Sequence, residues 1–296
     1  MTLKSFVPLF AAMALAFNAI AANSPKKEVG IQLYSVRQLL EPGKQYDGNV
    51  GGLMQTLGKM GYTQFEAANY NDGKFYGLTP AEFSKAAKKA GCKVTSSHTG
   101  RPLNDDELRS GDFSGYLAYW NRVLDDHKAA GIDYVVLPWM NVPSTVADLQ
   151  KQCDALNQVG RMAKEKGIRF GYHNHSHEFQ KVEDQTMLDY MIEHTDPENV
   201  LFELDVYWAM MGHASPVDYF KKYPGRFPLL HIKDRREIGQ SGMVGFDAIF
   251  NNASTAGLEK YYVEIEEYTD GIEKGAKESV DYLLAAPFVK SSYSKR

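Results

Sequence analysis

Apolar residues gather into eight short runs rich in Val, Ile, Phe and Tyr, at 29–36, 63–68, 93–99, 134–139, 168–175, 200–208, 227–235 and 261–268. Each has the length of a strand, and the stretches between them carry apolar residues at helical spacing. The helical stretches have readable ends. Thr79-Pro80-Ala81-Glu82 combines a capping box with proline at the first helical position, and Ser215-Pro216-Val217-Asp218 opens another helix in much the same way. Gly61, Gly91, Gly131, Gly167 and Gly257 each stand just after a helical stretch and a few residues before a strand, where a left-handed turn is needed. One strand, one helix and their loops occupy about 30 residues in such a repeating unit. Strands alternating with helices predict a parallel sheet with right-handed crossovers. Eight units without a composition break predict a single α/β domain, a closed (β/α)8 barrel, rather than an open doubly wound sheet. Tyr34-Ser35-Val36-Arg37 follows the first strand where a dinucleotide fold would need a glycine-rich phosphate loop. The longest connections, 100–115 and 234–246, follow strand ends and so fall on the functional face of a barrel.

The chain has 296 residues, which accommodates one barrel of about 250 residues. A net charge of −4 with no long basic run gives no electrostatic footprint for nucleic acid or for an anionic membrane surface. Residues 1–21 read as a secretory signal: Lys4 precedes an apolar stretch over 6–20, and Ala19-Ile20-Ala21 supplies a small-x-small cleavage pattern. That stretch is short for a spanning helix, and no cysteine follows it at once to carry a lipid. The mature barrel, 22–296, is therefore expected to be exported to the periplasm or beyond without a stable membrane anchor. Its two cysteines, Cys92 and Cys153, are expected to be free. The oligomeric state is left open.

Strand side chains alternate, so Gly171, His173 and His175 share one face while Phe170 and Tyr172 take the other. The apolar face must meet the helices, which turns both histidines toward the barrel axis. The same parity turns Glu203 and Asp205, His231 and Lys233, and Glu264 and Glu266 inward. Counted from the strand starts, His173, Asp205, His231 and Glu264 lie at similar depth, with His175, Lys233 and Glu266 nearer the mouth. Two imidazoles and two carboxylates on neighbouring strands make a candidate site for one divalent metal ion, and such a mixed set does not select among Mn, Co, Zn, Mg, Fe or Ni. A buried polar network is the alternative for any one of these residues. For all four together a shared cation is favoured, because isolated buried carboxylates are costly.

Four segments, Gly30-Ile31-Gln32-Leu33-Tyr34-Ser35, Tyr172-His173-Asn174-His175, Phe202-Glu203-Leu204-Asp205 and His231-Ile232-Lys233-Asp234, give the chain its family likeness. It resembles the xylose-isomerase-like TIM barrels, which include sugar isomerases, 3-epimerases, inosose dehydratases and endonuclease IV. The resemblance covers nearly the whole mature chain. It implies one metal held by Glu, Asp, His and Glu from strands five to eight, the last three matched by Asp205, His231 and Glu264, with Glu266 the near alternative to Glu264. Strand five departs, reading His173-Asn174-His175 where many members have Glu-Asn-His. Family epimerases shuttle a proton between two metal-bound glutamates, so one of that pair is missing; Glu178, just past the strand, is a candidate to fold back and replace it. Members with a comparable His-x-His pattern resemble inosose dehydratases and exported 3-keto-glycoside lyases, which eliminate a group β to a carbonyl.

The resemblance thus implies a metal-dependent carbohydrate enzyme. The cation polarises a keto-sugar carbonyl, and a base removes the α-proton to give an enediolate. His175 is the first candidate base and Glu178 the second. Reprotonation makes a sugar isomerase or epimerase, whereas expulsion of a β-substituent makes a 3-keto-glycoside lyase. His98 is a candidate acid or substrate contact, Trp139 a platform for a sugar face, and Glu66, Tyr34, Lys233 and Arg235 are candidates for hydroxyl contacts. Export separates the protein from phosphorylated intermediates, so the expected partner is a small neutral sugar or keto-glycoside. Endonuclease chemistry, which needs three zinc ions and a nucleic-acid surface, is disfavoured. The alternative from another class is a non-catalytic periplasmic sugar-binding barrel with a structural polar interior.

Overall fold

All eight apolar runs become strands, and they close on one another. In the computed structural model, which describes residues 26–293, these are β1 (Gly30–Gln32), β2 (Gln64–Ala67), β3 (Lys93–His98), β4 (Tyr134–Leu137), β5 (Arg169–His173), β6 (Val200–Asp205), β7 (Leu229–Lys233) and β8 (Lys260–Glu264). Each is parallel to its sequence neighbours and β8 returns to β1, giving a closed barrel. The proposed signal at 1–21 lies outside the described residues. Among the described residues no helix is long and apolar enough to cross a membrane.

The helix signals act as read. Thr79 and Glu82 form the reciprocal capping box of the helix Pro80–Lys89, and the Ser215 hydroxyl accepts from the Asp218 amide to start Pro216–Lys222. The five turn glycines all hold positive φ, for example 72° at Gly131 and 73° at Gly167. Cys92 and Cys153 are free and buried.

The expected strands overrun at their C-terminal ends, where backbone pairing gives way to the functional face. β1 stops at Gln32, whose side chain caps a 3-10 helix, Leu33–Leu40. β6 stops at Asp205, whose carboxylate caps the short helix Val206–Met211 by accepting from the Trp208 amide at 2.8 Å. β5 ends at His173, β7 at Lys233 and β8 at Glu264, so His175, Arg235 and Glu266 stand on loops above the sheet.

Parity is obeyed. Phe170, Tyr172, Phe202, Leu204, Leu230 and Ile232 pack outward in the shell between barrel and helices. Inside, Tyr134, Val136, Leu201, Leu229 and Tyr262 form a separate apolar plug. Gly171 is required there, since a Cβ on it would lie 2.4 Å from Leu201 Cδ1 and 3.0 Å from the Leu201 carbonyl oxygen. Above the plug, nearer the strand ends, the interior turns polar.

Candidate metal centre and active site

His173, Asp205, His231 and Glu264 are all buried and offer donor atoms that lie within 4.8 Å of one another. The barrel stagger brings them together. His173 pairs with Glu203, Asp205 with His231, and His231 with Tyr262, so the donor row rises by two residues from β5 to β6, by none to β7, and by two to β8. A tilted eight-stranded barrel needs a stepwise rise of this kind to keep side chains level along its axis.

The donor separations fit a shared ion. His173 Nε2 is 3.6 Å from Asp205 Oδ2, His231 Nδ1 is 3.3 Å from Glu264 Oε2, and His231 Nδ1 is 3.9 Å from Asp205 Oδ2. Ligands at about 2.1 Å from one tetrahedral ion stand about 3.4 Å apart. Both ring nitrogens of His173 and Oδ2 of Asp205 are buried without a hydrogen-bond partner. Each such orphan costs about 1–3 kcal/mol, and all three lie in this donor set. The residues present therefore fit a divalent cation.

The charges around the set explain its titration. Burial works against the charged form of His231, but Glu203, Glu66 and Glu264 outweigh it and hold the imidazole well above its usual range. Burial likewise opposes the charge on Glu264, yet Lys233 and His231 keep its carboxyl well below the usual range. Burial and the neighbouring Glu66 charge push Glu203 well up. Carboxylates that draw a proton onto His231 in this way are the surroundings a cation would meet.

Glu66, expected at a sugar hydroxyl, and Glu178, expected as a second base or a replacement ligand, both have other partners. Glu66 is fully buried: Oε2 accepts from Gln32 Nε2 at 2.8 Å and lies 2.6 Å from His231 Nε2, while Oε1 accepts from Ser96 at 2.6 Å. Glu178 does fold back, but onto β5 itself. It is fully buried, accepts from the Tyr172 hydroxyl and takes the His175 amide at 2.8 Å, so it fixes the backbone at His175 instead of joining the four-residue set. His98 stacks on His231 with ring centroids 4.8 Å apart, and its Nε2 lies 2.6 Å from Glu203 Oε2. Burial lowers its pKa to about 4.

The mouth holds the rest. His175 stands against His173 and Trp208, with its Nδ1 buried and unpartnered. Burial first, then His173, lower its pKa to about 3. Lys233 is buried with Nζ 3.2 Å from Glu264 and 3.4 Å from Glu266, over the Trp208 ring. Glu264 is thus shared between the donor set and the lysine, whereas Glu266 meets the lysine and lies outside the set. Trp139 and Tyr34 remain exposed, at 43% and 41%. Trp208 and His177 escaped sequence reasoning. The run His173-x-His175-x-His177 could have flagged the latter; Trp208 was hidden because it was read as the end of a strand.

The family model described as "Xylose isomerase-like TIM barrel" matches residues 54–286. The chain belongs to this family. Among solved structures, a sugar phosphate isomerase/epimerase from Parabacteroides distasonis ATCC 8503 is 36% identical with a TM-score of 0.80, the match covering 89% of this chain and 100% of that one. A 3-keto-D-glucoside 4-epimerase from E. coli has a TM-score of 0.65 at 20% identity, covering 88% and 100%, a likeness of fold alone. Inosose dehydratase 2 of Bacillus cereus (strain ZK / E33L) is 28% identical over 130 residues, 42% of this chain and 43% of that one. The chain spans less than half the length of the inosose dehydratases it matches first.

Proposed function

We propose that this member of the xylose isomerase-like barrels is an exported, divalent-metal-dependent enzyme that removes the proton α to the carbonyl of a keto-sugar and expels the β-substituent, as a 3-keto-glycoside lyase or sugar dehydratase. The observation that carries the metal reading is the set His173, Asp205, His231 and Glu264, with three orphaned donor atoms among them. A divalent cation bound there would supply Lewis acidity at the carbonyl. The imidazole of His175, whose Nδ1 has no hydrogen-bond partner, takes the α-proton. The C–H electron pair becomes the C=C bond, the C–O bond breaks with its pair on the β-oxygen, and that oxygen takes up the proton carried by His175. Lys233, fixed by Glu264 and Glu266, offers its ammonium to a sugar oxygen. Trp139 offers an apolar face for the ring.

Elimination is favoured over epimerisation by strand five. An epimerase working through two carboxylates needs one on each side of the sugar, but this chain has His173 in that position, and Glu178 is committed to Tyr172 and the His175 amide. One face retains a base and the other lacks its partner. The inosose dehydratase relatives, by name, catalyse a loss of water.

The test is incubation of the metal-loaded protein in D2O with 3-keto-glucosides and with simple ketoses. Release of the aglycone with an unsaturated sugar, lost in His175→Ala while the metal stays bound, is the expected result. Deuterium uptake into recovered ketose without aglycone release would turn the assignment to an isomerase or epimerase. A protein that binds no divalent ion and is indifferent to chelation would be a sugar-binding barrel instead.

A further inference from the structure

The metal reading leaves a second polar group on the other side of His231 without a task. The fully buried Glu66 and Glu203 meet the far nitrogen of that ring, and His98 stacks on its face. We infer that Glu66 is a positioning residue: it holds the Nε2–H of His231 and thereby presents Nδ1 to the face shared by Asp205 and Glu264. This rests on the metal centre proposed above.

Distances separate the two sides of the ring. On the Nδ1 side Asp205 Oδ2 stands off at 3.9 Å and Glu264 Oε2 makes a long hydrogen bond at 3.3 Å, separations that co-ligands of a common ion can keep. On the Nε2 side Glu203 Oε2 lies at 3.3 Å, but Glu66 Oε2 is at 2.6 Å, a short hydrogen bond and too close for two donors sharing one ion. A carboxylate can only accept. Nε2 must therefore carry hydrogen, so a cation that displaces the second ring proton would meet the lone pair of Nδ1.

Glu66 is itself held from both sides. Gln32 Nε2 donates to Oε2 at 2.8 Å, and Ser96 Oγ donates to Oε1 at 2.6 Å. Strand register supplies both partners, because Gln32 lies opposite Glu66 on β1 and Ser96 lies opposite it on β3. The second pairing depends on a register shift at Phe65/Glu66, which skips Thr95. Thr95 is left to pair with the Tyr262 hydroxyl at 2.8 Å. β1, β2 and β3 contribute none of the four donors, yet they fix how one of them faces. His98 completes the wall, stacked on His231 and bonded to Glu203.

Zinc is a suitable probe because it is diamagnetic. Its affinity for the full chain is measured by competition with a chromophoric chelator, and the His231 Nε2 proton is followed by 1H–15N NMR of the zinc-loaded protein. Glu66→Gln should weaken zinc binding about 10- to 100-fold, the range for losing an outer partner of a ligating histidine. It should also move the downfield Nε2 proton or abolish its signal, a change that a general loss of packing would not single out. Ser96→Ala and Gln32→Leu, which free one side of Glu66 each, should weaken zinc less and in the same direction. They decide the matter if Glu66→Gln fails to fold. Zinc affinity within about threefold of wild type across these variants, outside that range, would overturn the inference alone. A second zinc ion in the wild type that disappears in Glu66→Gln would make Glu66 a ligand and overturn it as well. A wild type that binds no zinc would remove the metal centre and this inference together.

Discussion

Asp205 has two oxygens with separable tasks, and substitution can divide them. Oδ1 accepts from the Trp208 amide at 2.8 Å and caps the helix Val206–Met211, whereas Oδ2 is buried, unpartnered and 3.6 Å from His173 Nε2. Asp205→Asn keeps a cap of equal rank and loses the charged donor; Asp205→Ala loses both. Removing an N-cap costs about 1 kcal/mol. The metal-free Asn variant should therefore match the wild type in urea unfolding or exceed it, since one negative charge leaves a site that also holds Glu66, Glu203 and Glu264. The metal-free Ala variant should fall below the Asn variant by about 1 kcal/mol. Adding zinc or manganese at about 100 times the wild-type Kd should stabilise the wild type by about 2.7 kcal/mol. If the Asn variant binds about 100-fold more weakly, the same addition yields only about 0.4 kcal/mol. Urea midpoints with and without the ion, together with calorimetric titration, measure both quantities. Wild-type metal affinity in the Asn variant would refute the assignment of Oδ2 as a donor. Equal metal-free stability of the Asn and Ala variants would refute the capping role.

Other consequences are accessible to the same measurements. His127 is buried against Tyr70 and Phe75, with Nδ1 on the Val123 carbonyl and Nε2 on Ser97, and burial lowers its pKa from 6.5 to about 4. Its folded pKa lies below the unfolded one, so its share of stability is whole above about pH 6.5 and fades toward pH 4, by about 2 kcal/mol at pH 5. His127→Gln should lack that part of the pH dependence, and parallel curves for the two proteins would count against it. Gly171→Ala should cost about 1–3 kcal/mol by overpacking, because its Cβ would sit 3.0 Å from the fixed Leu201 carbonyl; a neutral result in urea would mean that β6 yields there.

What could be read along the chain was whatever a strand decides by itself. Alternation turned His173, Asp205, His231 and Glu264 inward, and the apolar faces at Phe170 and Tyr172 left no other choice. Strand ends were less legible, since Asp205 looks like one more strand residue until its carboxylate is seen to cap the next helix. Roles that depend on a partner across the ring or on a loop folding back were out of reach. Glu66 acquires its place from a register shift that sets Ser96 opposite it, and Glu178 from a single turn, His177–Phe179, that returns it to the His175 amide. Glu66, read as a substrate contact, and Glu178, read as a second base or a replacement ligand, thus both spend oxygens on holding histidines. Asp205 keeps one oxygen unpartnered beside His173, whereas Glu66 spends both of its own, one of them on the imidazole of His231.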